Sequence, residues 1–317
     1  MPAERPLHGP QARPWGDGPG LLRRTIAGGA RFFGVAAPDA RVAPPRAAPV
    51  PVAPDAAAVS PPGPVVPPML AARRAWADRL WGEGLSLPGG AAEVLRLAAL
   101  LPLAPEVTLL LAGGGVRAAG SVVAGARGCH VAAFEAEAGP IARPALRKVT
   151  AEPFAADAPA FRAGFHHHAM LLEPARFGAV PDALLTAAAA ALRPRGQIVV
   201  LDLVARGLSA GRAEERWLAA EGRAGAPPQE AAMPAALQRA GFEVHVVEDA
   251  GRRHRAAVMQ AWQALVTALR DPGLRPDAPA ARALVAEAEA WLLRLRLLQE
   301  GRLRLLRWHA TLARPAG

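Results

Sequence analysis

Residues 109–135 read LLLAGGGVRAAGSVVAGARGCHVAAFE, and this stretch decides the fold. An apolar run at 107–111 meets three glycines at 113–115, a small-residue segment follows, and a second apolar run at 131–134 ends in Glu135. This order predicts strand, tight turn, helix, strand and acid. Such a unit binds the adenosine end of a cofactor in α/β folds: glycine lets the backbone approach the ligand, the helix offers free N–H groups, and the acid accepts ribose hydroxyls. A tight turn in an ordinary parallel sheet is the alternative.

The same alternation of strands and helices continues along the chain. Continuous apolar runs, such as 198–201, are typical of parallel strands that are covered on both faces. The pattern therefore predicts an α/β fold with a doubly wound, Rossmann-like sheet. Strands are expected at 107–111, 130–134, 148–152, 166–172, 197–202, 243–248 and 305–312, and helices near 71–81, 91–101, 116–127, 138–147, 180–192, 211–221, 231–240, 254–270 and 280–299.

Composition divides the chain into three parts. Residues 1–68 hold sixteen of the 33 prolines, which predicts a disordered tail. Residues 69–104 are expected to form a helical lead-in that serves as a lid over the cofactor. Residues 105–313 are expected to form the α/β domain, with a helical insertion at 254–300 before the last strand. Pro194 and Gly196 predict a turn into the strand at 197–202.

The net charge of +10 is concentrated at the end of the chain, because residues 250–317 carry twelve basic and five acidic residues, whereas residues 69–249 carry eighteen of each. A nucleic-acid binder would show a basic groove with interleaved aromatic residues, so this distribution disfavours nucleic acid as a partner. The basic C-terminal helices are either a solvated face or a surface for a protein partner. Cys129 is the single cysteine, and no apolar run reaches the length of a membrane span, which predicts a cytoplasmic protein.

Four segments carry a resemblance to a known family: RLWGEGLSLPGG at 79–90, VTLLLAGGG at 107–115, LRPRGQIVVLD at 192–202 and LQRAGFEV at 237–244. Their order and spacing resemble the class I S-adenosylmethionine-dependent methyltransferases, in particular the small-molecule branch of the phosphoethanolamine and ubiquinone methyltransferases. The resemblance covers roughly residues 75–313.

The resemblance implies a seven-stranded, mostly parallel sheet with one antiparallel edge strand. It also implies S-adenosylmethionine as cofactor and a small-molecule methyl acceptor near residues 166–173. The methionine part of the cofactor would lie over the glycine turn, the ribose on Glu135 and the adenine near Glu152, under a lid that contains Leu87. The cofactor-binding residues implied are Leu87, Gly89, Ala112, Gly113, Gly114, Gly115, Glu135 and Glu152.

Two positions depart from the family pattern. The family has an acid two residues before the first glycine of the turn, where this chain has Leu111, and a third glycine where this chain has Arg117. Loss of a charge-assisted hydrogen bond costs ~1.5–3 kcal/mol, or roughly ten- to a hundredfold in affinity. Cofactor binding would therefore be weakened by these departures rather than abolished.

Three consecutive histidines, 166–168, stand where the fourth strand is expected. Strand alternation places His166 and His168 on one face, and either is a candidate general base because the ordinary pKa of histidine lies near 6.5. Packed histidines between sheet and helices are the competing interpretation. No metal-ligand spacing accompanies them, so no metal is predicted.

Three functions remain open on the sequence alone. The first is an S-adenosylmethionine-dependent methyltransferase for a small molecule. The second is a non-catalytic scaffold or binding protein with the same fold, which Leu111 and Arg117 favour. The third is an NAD(P)-dependent oxidoreductase, since GGGVRA at 113–118 also fits the dinucleotide-binding pattern.

Overall fold

The computed structural model describes residues 67–136, 147–207 and 211–313, and a seven-stranded sheet forms its centre. The strand order is β3-β2-β1-β4-β5-β7-β6. Neighbouring strands from β3 to β5 are parallel, whereas β7 is antiparallel to both of its neighbours. The strands are β1 (Thr108–Gly113), β2 (His130–Glu135), β3 (Val149–Pro153), β4 (His166–Leu172), β5 (Leu192–Ala205), β6 (Phe242–Asp249) and β7 (Leu303–Leu312).

This architecture confirms the predicted doubly wound, mostly parallel sheet, with one correction. The antiparallel strand was expected at an edge, but β7 lies between β5 and β6, so β3 and β6 are the edge strands. After β5, the chain forms β6 one strand position away from β5 and leaves a gap between the two strands. The last strand, β7, follows the helical insertion and occupies that gap.

Helices cover both faces of the sheet. Along β1, Leu109 and Leu111 belong to one buried cluster, and Leu110 and Ala112 belong to a second cluster on the other face. This alternation explains why the strand is apolar throughout. The helices are α1 (Pro68–Trp81), α2 (Gly90–Ala98), α3 (Val116–Arg127), α4 (Pro181–Ala191), α5 (Arg212–Glu221), α6 (Ala232–Arg239), α7 (Gly251–Ala268) and α8 (Ala278–Gln299).

The lead-in helix α1 packs on α8, the long helix of the insertion. The indole Nε1 of Trp76 donates a hydrogen bond of 2.8 Å to the carbonyl oxygen of Ala280, 204 positions later in the sequence. The rings of Trp81 and Trp291 meet edge to face with their centroids 5.0 Å apart. Two segments that are distant in sequence therefore form one wall beside the carboxyl ends of the strands.

The predicted turn at 193–196 is instead an irregularity inside β5, which begins at Leu192. The pairing with β4 jumps from His166–Leu192 to His168–Gln197, so the intervening residues bulge out of the ladder, and Arg195 has a φ of 65°. The helix expected at 138–147 and the tail expected at 1–68 fall almost wholly outside the described residues. In the described part of the chain, no helix has the length and apolarity needed to cross a membrane.

Candidate functional site

The turn after β1 requires glycine because other backbone segments approach it closely. Gly113 has a φ of 137°, and a Cβ atom there would lie 2.1 Å from the carbonyl oxygen of Leu172. Gly115 has a φ of 66°, and its Cβ would lie 2.7 Å from the amide nitrogen of Ser86 and 2.9 Å from the carbonyl oxygen of Gly84. Both glycines therefore satisfy a steric demand as well as a conformational one.

Glu135 ends β2 and faces this turn, as the sequence predicts. The N–H of Gly115 donates to its Oε1 at 2.9 Å, and the N–H of Arg117 donates to its Oε2 at 3.2 Å. These donors belong to the first turn of α3, where a negative charge is stabilised by the helix dipole. A carboxylate offers about four lone-pair sites, so it can accept a ligand's hydroxyl groups in addition to backbone N–H groups.

A cleft of about 540 Å³ opens at the carboxyl ends of the strands. It runs across the carboxyl ends of the strands from Glu135 at the end of β2, past Gly115 after β1, to Phe177 after β4. Trp81 and Trp291 belong to the wall that α1 and α8 form beside it. Both charge signs line it: the acids are Asp78, Glu135, Glu221 and Glu287, and the arginines are Arg73, Arg74, Arg117 and Arg176. The cleft therefore combines aromatic surface with charged groups, as sites for small polar ligands do.

The lead-in reaches the cleft through residues that precede the expected Leu87 and Gly89. Gly84, Leu85 and Ser86 line it, and the Ser86 hydroxyl donates a hydrogen bond of 2.6 Å to the carbonyl oxygen of Gly114. Leu87 is buried in the core instead, and Gly89 lies beside Glu93 at the start of α2. The apolar side chain of Leu87 is more stable in the core than in the cleft. Because Leu87 is buried, the residues before it lie over the glycine turn.

Of the eight predicted cofactor-binding residues, Gly115 and Glu135 line the cleft. Ala112 and Gly113 stand behind the turn, since Ala112 is buried in the second cluster and Gly113 packs against β4. Glu152 is exposed and pairs in register with Phe134. It therefore lies next to the carboxyl end of β2, on the side of the sheet where the cleft opens.

The candidate bases His166 and His168 lie near the amino end of β4, away from the cleft at the carboxyl ends of the strands. His166 is the first residue of β4, so the length of that strand separates it from the cleft. It is 2% exposed, and neither ring nitrogen has a hydrogen-bond partner in the described part of the chain. The Nδ1 atom of His168 accepts a 3.1 Å bond from the N–H of Gln197. Burial lowers the pKa of each to about 4, so both are neutral packing residues at pH 7.

Sequence patterns did not indicate a buried ion-pair cluster behind the cleft. Arg294 of α8, which is 1% exposed, donates to both oxygens of Glu173 and to both oxygens of Glu221. Burial alone would raise the pKa of Glu173, but the charge of Arg294 lowers it to about 2. Glu173 follows β4 directly and has a φ of 45°. This cluster therefore ties α5 and α8 to the carboxyl end of β4.

A second buried acid, Asp202, lies in β5 beside this cluster. Its two oxygens accept hydrogen bonds from the N–H groups of Ala175 and Leu203, at 3.0 and 2.8 Å. Burial raises its pKa to about 7, although the charge of Arg223 opposes this shift. Within the described ranges, no group of three or more His, Cys, Asp or Glu side chains is arranged to hold a metal ion.

No family model matches the sequence, and no curated protein is significantly similar to it. Solved structures are similar in fold at low sequence identity. Phosphoethanolamine N-methyltransferase 2 from Haemonchus contortus, in complex with phosphomonomethylethanolamine and S-adenosylhomocysteine, gives a TM-score of 0.65 at 14% identity over 76% of this chain and 57% of its own. The cyclopropane synthase MmaA2 from Mycobacterium tuberculosis gives 0.52 at 14% identity over 69% and 83%. The [4+2]-cyclase SpnF gives 0.53 at 16% identity over 71% and 81%.

These comparisons show the fold. The chain has the fold of the class I S-adenosylmethionine-dependent methyltransferases, as the sequence resemblance implied. It spans only 57% and 61% of the length of the two Haemonchus contortus chains that it matches. The cyclase among the similar structures illustrates that a shared fold does not by itself fix the reaction.

Proposed function

We propose that the chain is an S-adenosylmethionine-dependent methyltransferase that acts on a small molecule. One observation carries the proposal: the glycine turn at Gly115 and the acid Glu135 face each other at the mouth of a cleft of about 540 Å³. In open α/β sheets, ligands bind at the carboxyl ends of the strands, where this cleft lies. The cleft is large enough for a cofactor and a small acceptor side by side.

The cleft residues suggest how each part would be held. Glu135 would accept the ribose hydroxyls, and Glu152, at the end of the neighbouring strand, would lie on the adenine side. Gly115 would let the methionine part of the cofactor pass close to the backbone. The acceptor would occupy the aromatic side of the cleft, between Trp81 and Phe177.

Methyl transfer asks little of the protein beyond alignment. When bound, the cofactor would supply an electrophilic methyl group to the acceptor's lone pair, and the electron pair of the broken carbon–sulfur bond would stay on sulfur. Bringing the two partners into line supplies much of the rate, because the entropy of their encounter is lost on binding rather than in the reaction. In this chain, the wall that contains Trp81 and Trp291 would hold the acceptor in that line.

The alternative functions are less well supported. The dinucleotide-binding oxidoreductases have the strand order 3-2-1-4-5-6, whereas here the antiparallel β7 separates β5 from β6. A scaffold role through the basic C-terminal helices is weakened because acids elsewhere neutralise two of their arginines in the described part of the chain. Glu93 and Glu248 pair with Arg253, and Glu173 and Glu221 pair with Arg294. The buried Cys129 fits a cytoplasmic location.

Substitution of Glu135 tests the proposal. We expect Glu135→Gln to weaken S-adenosylmethionine binding roughly ten- to a hundredfold, since one charged acceptor of ribose hydroxyls is lost. The glutamine oxygen can still accept one of the two backbone N–H bonds, so part of the contact with the turn is kept. The matched control is Glu106→Gln, an exposed acid just before β1 at the other end of the sheet. Calorimetric affinities equal to wild type in Glu135→Gln would refute this placement of the cofactor.

A further inference from the structure

The methionine end of S-adenosylmethionine carries an ammonium group, and β1 offers it no carboxylate. Leu111 occupies the position at which the family has an acid, and its side chain is fully buried. Its Cδ2 atom lies 3.7 Å from the point where a Cβ on Gly120 would stand, so the side chain is enclosed against α3. If the proposed function holds, another group of this chain must meet the ammonium.

Three of the four acids in the cleft are already engaged. Glu135 holds the glycine turn through two backbone N–H groups. Glu221 is bound by the buried Arg294 and by the indole N–H of Trp217. Glu287 accepts from Arg73 at 2.8 Å and also from the indole N–H of Trp291. Each of the last two carboxylates is neutralised by an arginine.

Asp78, on α1, is the fourth acid, and its position differs. Its Oδ1 accepts a 2.7 Å bond from the N–H of Gly84, and in the described part of the chain no bond to its Oδ2 is found. Gly84 in turn packs on the glycine turn, since its carbonyl oxygen would lie 2.9 Å from a Cβ on Gly115. Asp78 therefore stands one hydrogen bond away from the backbone that covers the turn, with one carboxylate oxygen available.

We propose that Asp78 binds the ammonium group of the cofactor's methionine end and so takes over the role of the strand acid that Leu111 replaces. The inference rests on the proposed function and adds a binding residue to it. Charge complementarity is the physical reason: an ammonium is stabilised by a nearby carboxylate, and such charge-assisted hydrogen bonds are about twice as strong as neutral ones. The lead-in thus supplies part of the cofactor site itself and is more than a cover.

The test uses Asp78→Asn in the full chain, because the asparagine oxygen can still accept the Gly84 N–H. Glu83→Gln is the matched control, since Glu83 is an exposed acid in the same turn that does not line the cleft. Calorimetry would compare four ligands. S-adenosylmethionine, S-adenosylhomocysteine and decarboxylated S-adenosylmethionine all carry the ammonium, and 5′-methylthioadenosine lacks it.

We expect Asp78→Asn to weaken the three ammonium-bearing ligands by roughly ten- to a hundredfold and to leave 5′-methylthioadenosine within about twofold of wild type. Glu83→Gln should bind all four as wild type does. Equal weakening of all four ligands would overturn the proposal in favour of a purely structural role for Asp78. Loss confined to the two sulfonium ligands would assign Asp78 to the sulfonium and also overturn it.

Unchanged affinities in Asp78→Asn, with a wild type that binds S-adenosylmethionine, would refute the role of Asp78 and leave the proposed function standing. A wild-type protein that binds none of the four ligands would refute both. The titration of the wild-type protein therefore distinguishes failure of the Asp78 proposal alone from failure of the proposed function.

Discussion

Gly115 is the residue at which the local sequence, the packing of the lead-in and the proposed cofactor site meet. Its positive φ favours glycine, but the close approach of Ser86 and Gly84 adds a steric demand that no other residue type meets. The lead-in can lie on the turn only because this Cβ is missing. The same close approach brings Asp78, through Gly84, to the place where the cofactor's methionine end is expected.

Two glycines with similar positive φ values allow the cost of backbone strain to be measured apart from the cost of a steric clash. Gly164 has a φ of 59°, and a Cβ added there would meet no other atom within 4 Å, so Gly164→Ala should cost only the left-handed strain of ~1–2 kcal/mol. Gly115→Ala should cost a further ~1–3 kcal/mol because the lead-in must move, and it should also weaken cofactor binding. Chemical denaturation of both variants measures the difference, and equal costs would contradict the packing described for the turn.

The histidine run illustrates a limit of pattern reasoning at single residues. Histidine chemistry suggested a base, but His166 begins β4, and the amino end of a parallel strand lies far from a ligand at the carboxyl edge. Strand direction was already implied by the predicted fold and could have excluded the role. Both rings instead serve packing, and their depressed pKa values of about 4 have consequences for stability.

Acid should destabilise the protein in part through His166. Its pKa is about 4 in the folded chain and near 6.5 when unfolded, so the unfolded chain binds the proton first as pH falls. Stability is therefore fully present above pH 6.5 and is lost toward pH 4, by up to about 3 kcal/mol for this residue. His166→Phe should flatten the dependence of Tm on pH in that window, whereas His130→Gln, at an exposed position, should not. An unchanged slope in His166→Phe would contradict the buried neutral state.

At the scale of elements, α8 is fixed to the sheet by charge as well as by apolar contacts. Arg294 holds Glu173 after β4 and Glu221 at the end of α5, all within the protein interior. Because α8 also carries Trp291 and Glu287, these ion pairs fix one wall of the cleft. An arginine with two buried acids is costly to desolvate, but removing it alone is costlier, since both acids would stay buried without a counter-charge.

Two arginines on α8 provide a matched comparison. Arg294→Ala should destabilise the protein by about 3–5 kcal/mol, as expected when a buried ion pair loses one partner. Arg296→Ala removes an exposed arginine that pairs with Glu300 one turn later, and it should leave the unfolding midpoint nearly unchanged. Urea denaturation measures both. Similar small effects would show that the buried cluster contributes little to holding α8.

The sequence indicated most elements but not their long-range contacts. The strands and helices around 107–135 were predicted because glycine, apolar runs and the acid are local signals. A helical lid formed by residues 69–104 was also predicted, but its packing on α8 was not, since that packing depends on contacts such as Arg73 with Glu287 across 214 positions. The lid was placed at Leu87 rather than Ser86 because an irregular loop has no periodicity that indicates which side chains are buried.

At the scale of the whole molecule, the positive charge is less available than composition suggests. Of the twelve basic residues in 250–317, six form ion pairs in the described part of the chain: Arg253, Arg294, Arg296, Arg302, Arg304 and Arg307. Most of their acid partners lie within residues 69–249, the neutral part of the sequence. These ion pairs therefore connect the basic C-terminal region to the rest of the domain. The C-terminal region is therefore integrated into the α/β domain through β7 and these pairs.

Sheet order distinguishes the two folds with which the glycine turn alone is compatible. The segment 113–118 fits the glycine pattern of both folds, whereas the antiparallel β7 beside β5 matches the methyltransferase fold. This feature could not be read from local sequence, because strand order depends on how the insertion at α7 and α8 returns the chain to the sheet.

Calorimetric titration of the wild-type protein with S-adenosylmethionine and S-adenosylhomocysteine, with NADH as the comparison ligand, tests the central claim most directly. The account predicts that both sulfur ligands bind with dissociation constants on the order of micromolar, or about −8 kcal/mol, and that NADH does not bind. Absence of heat and of thermal stabilisation with S-adenosylmethionine up to about 1 mM, or preferential binding of NADH, would contradict it.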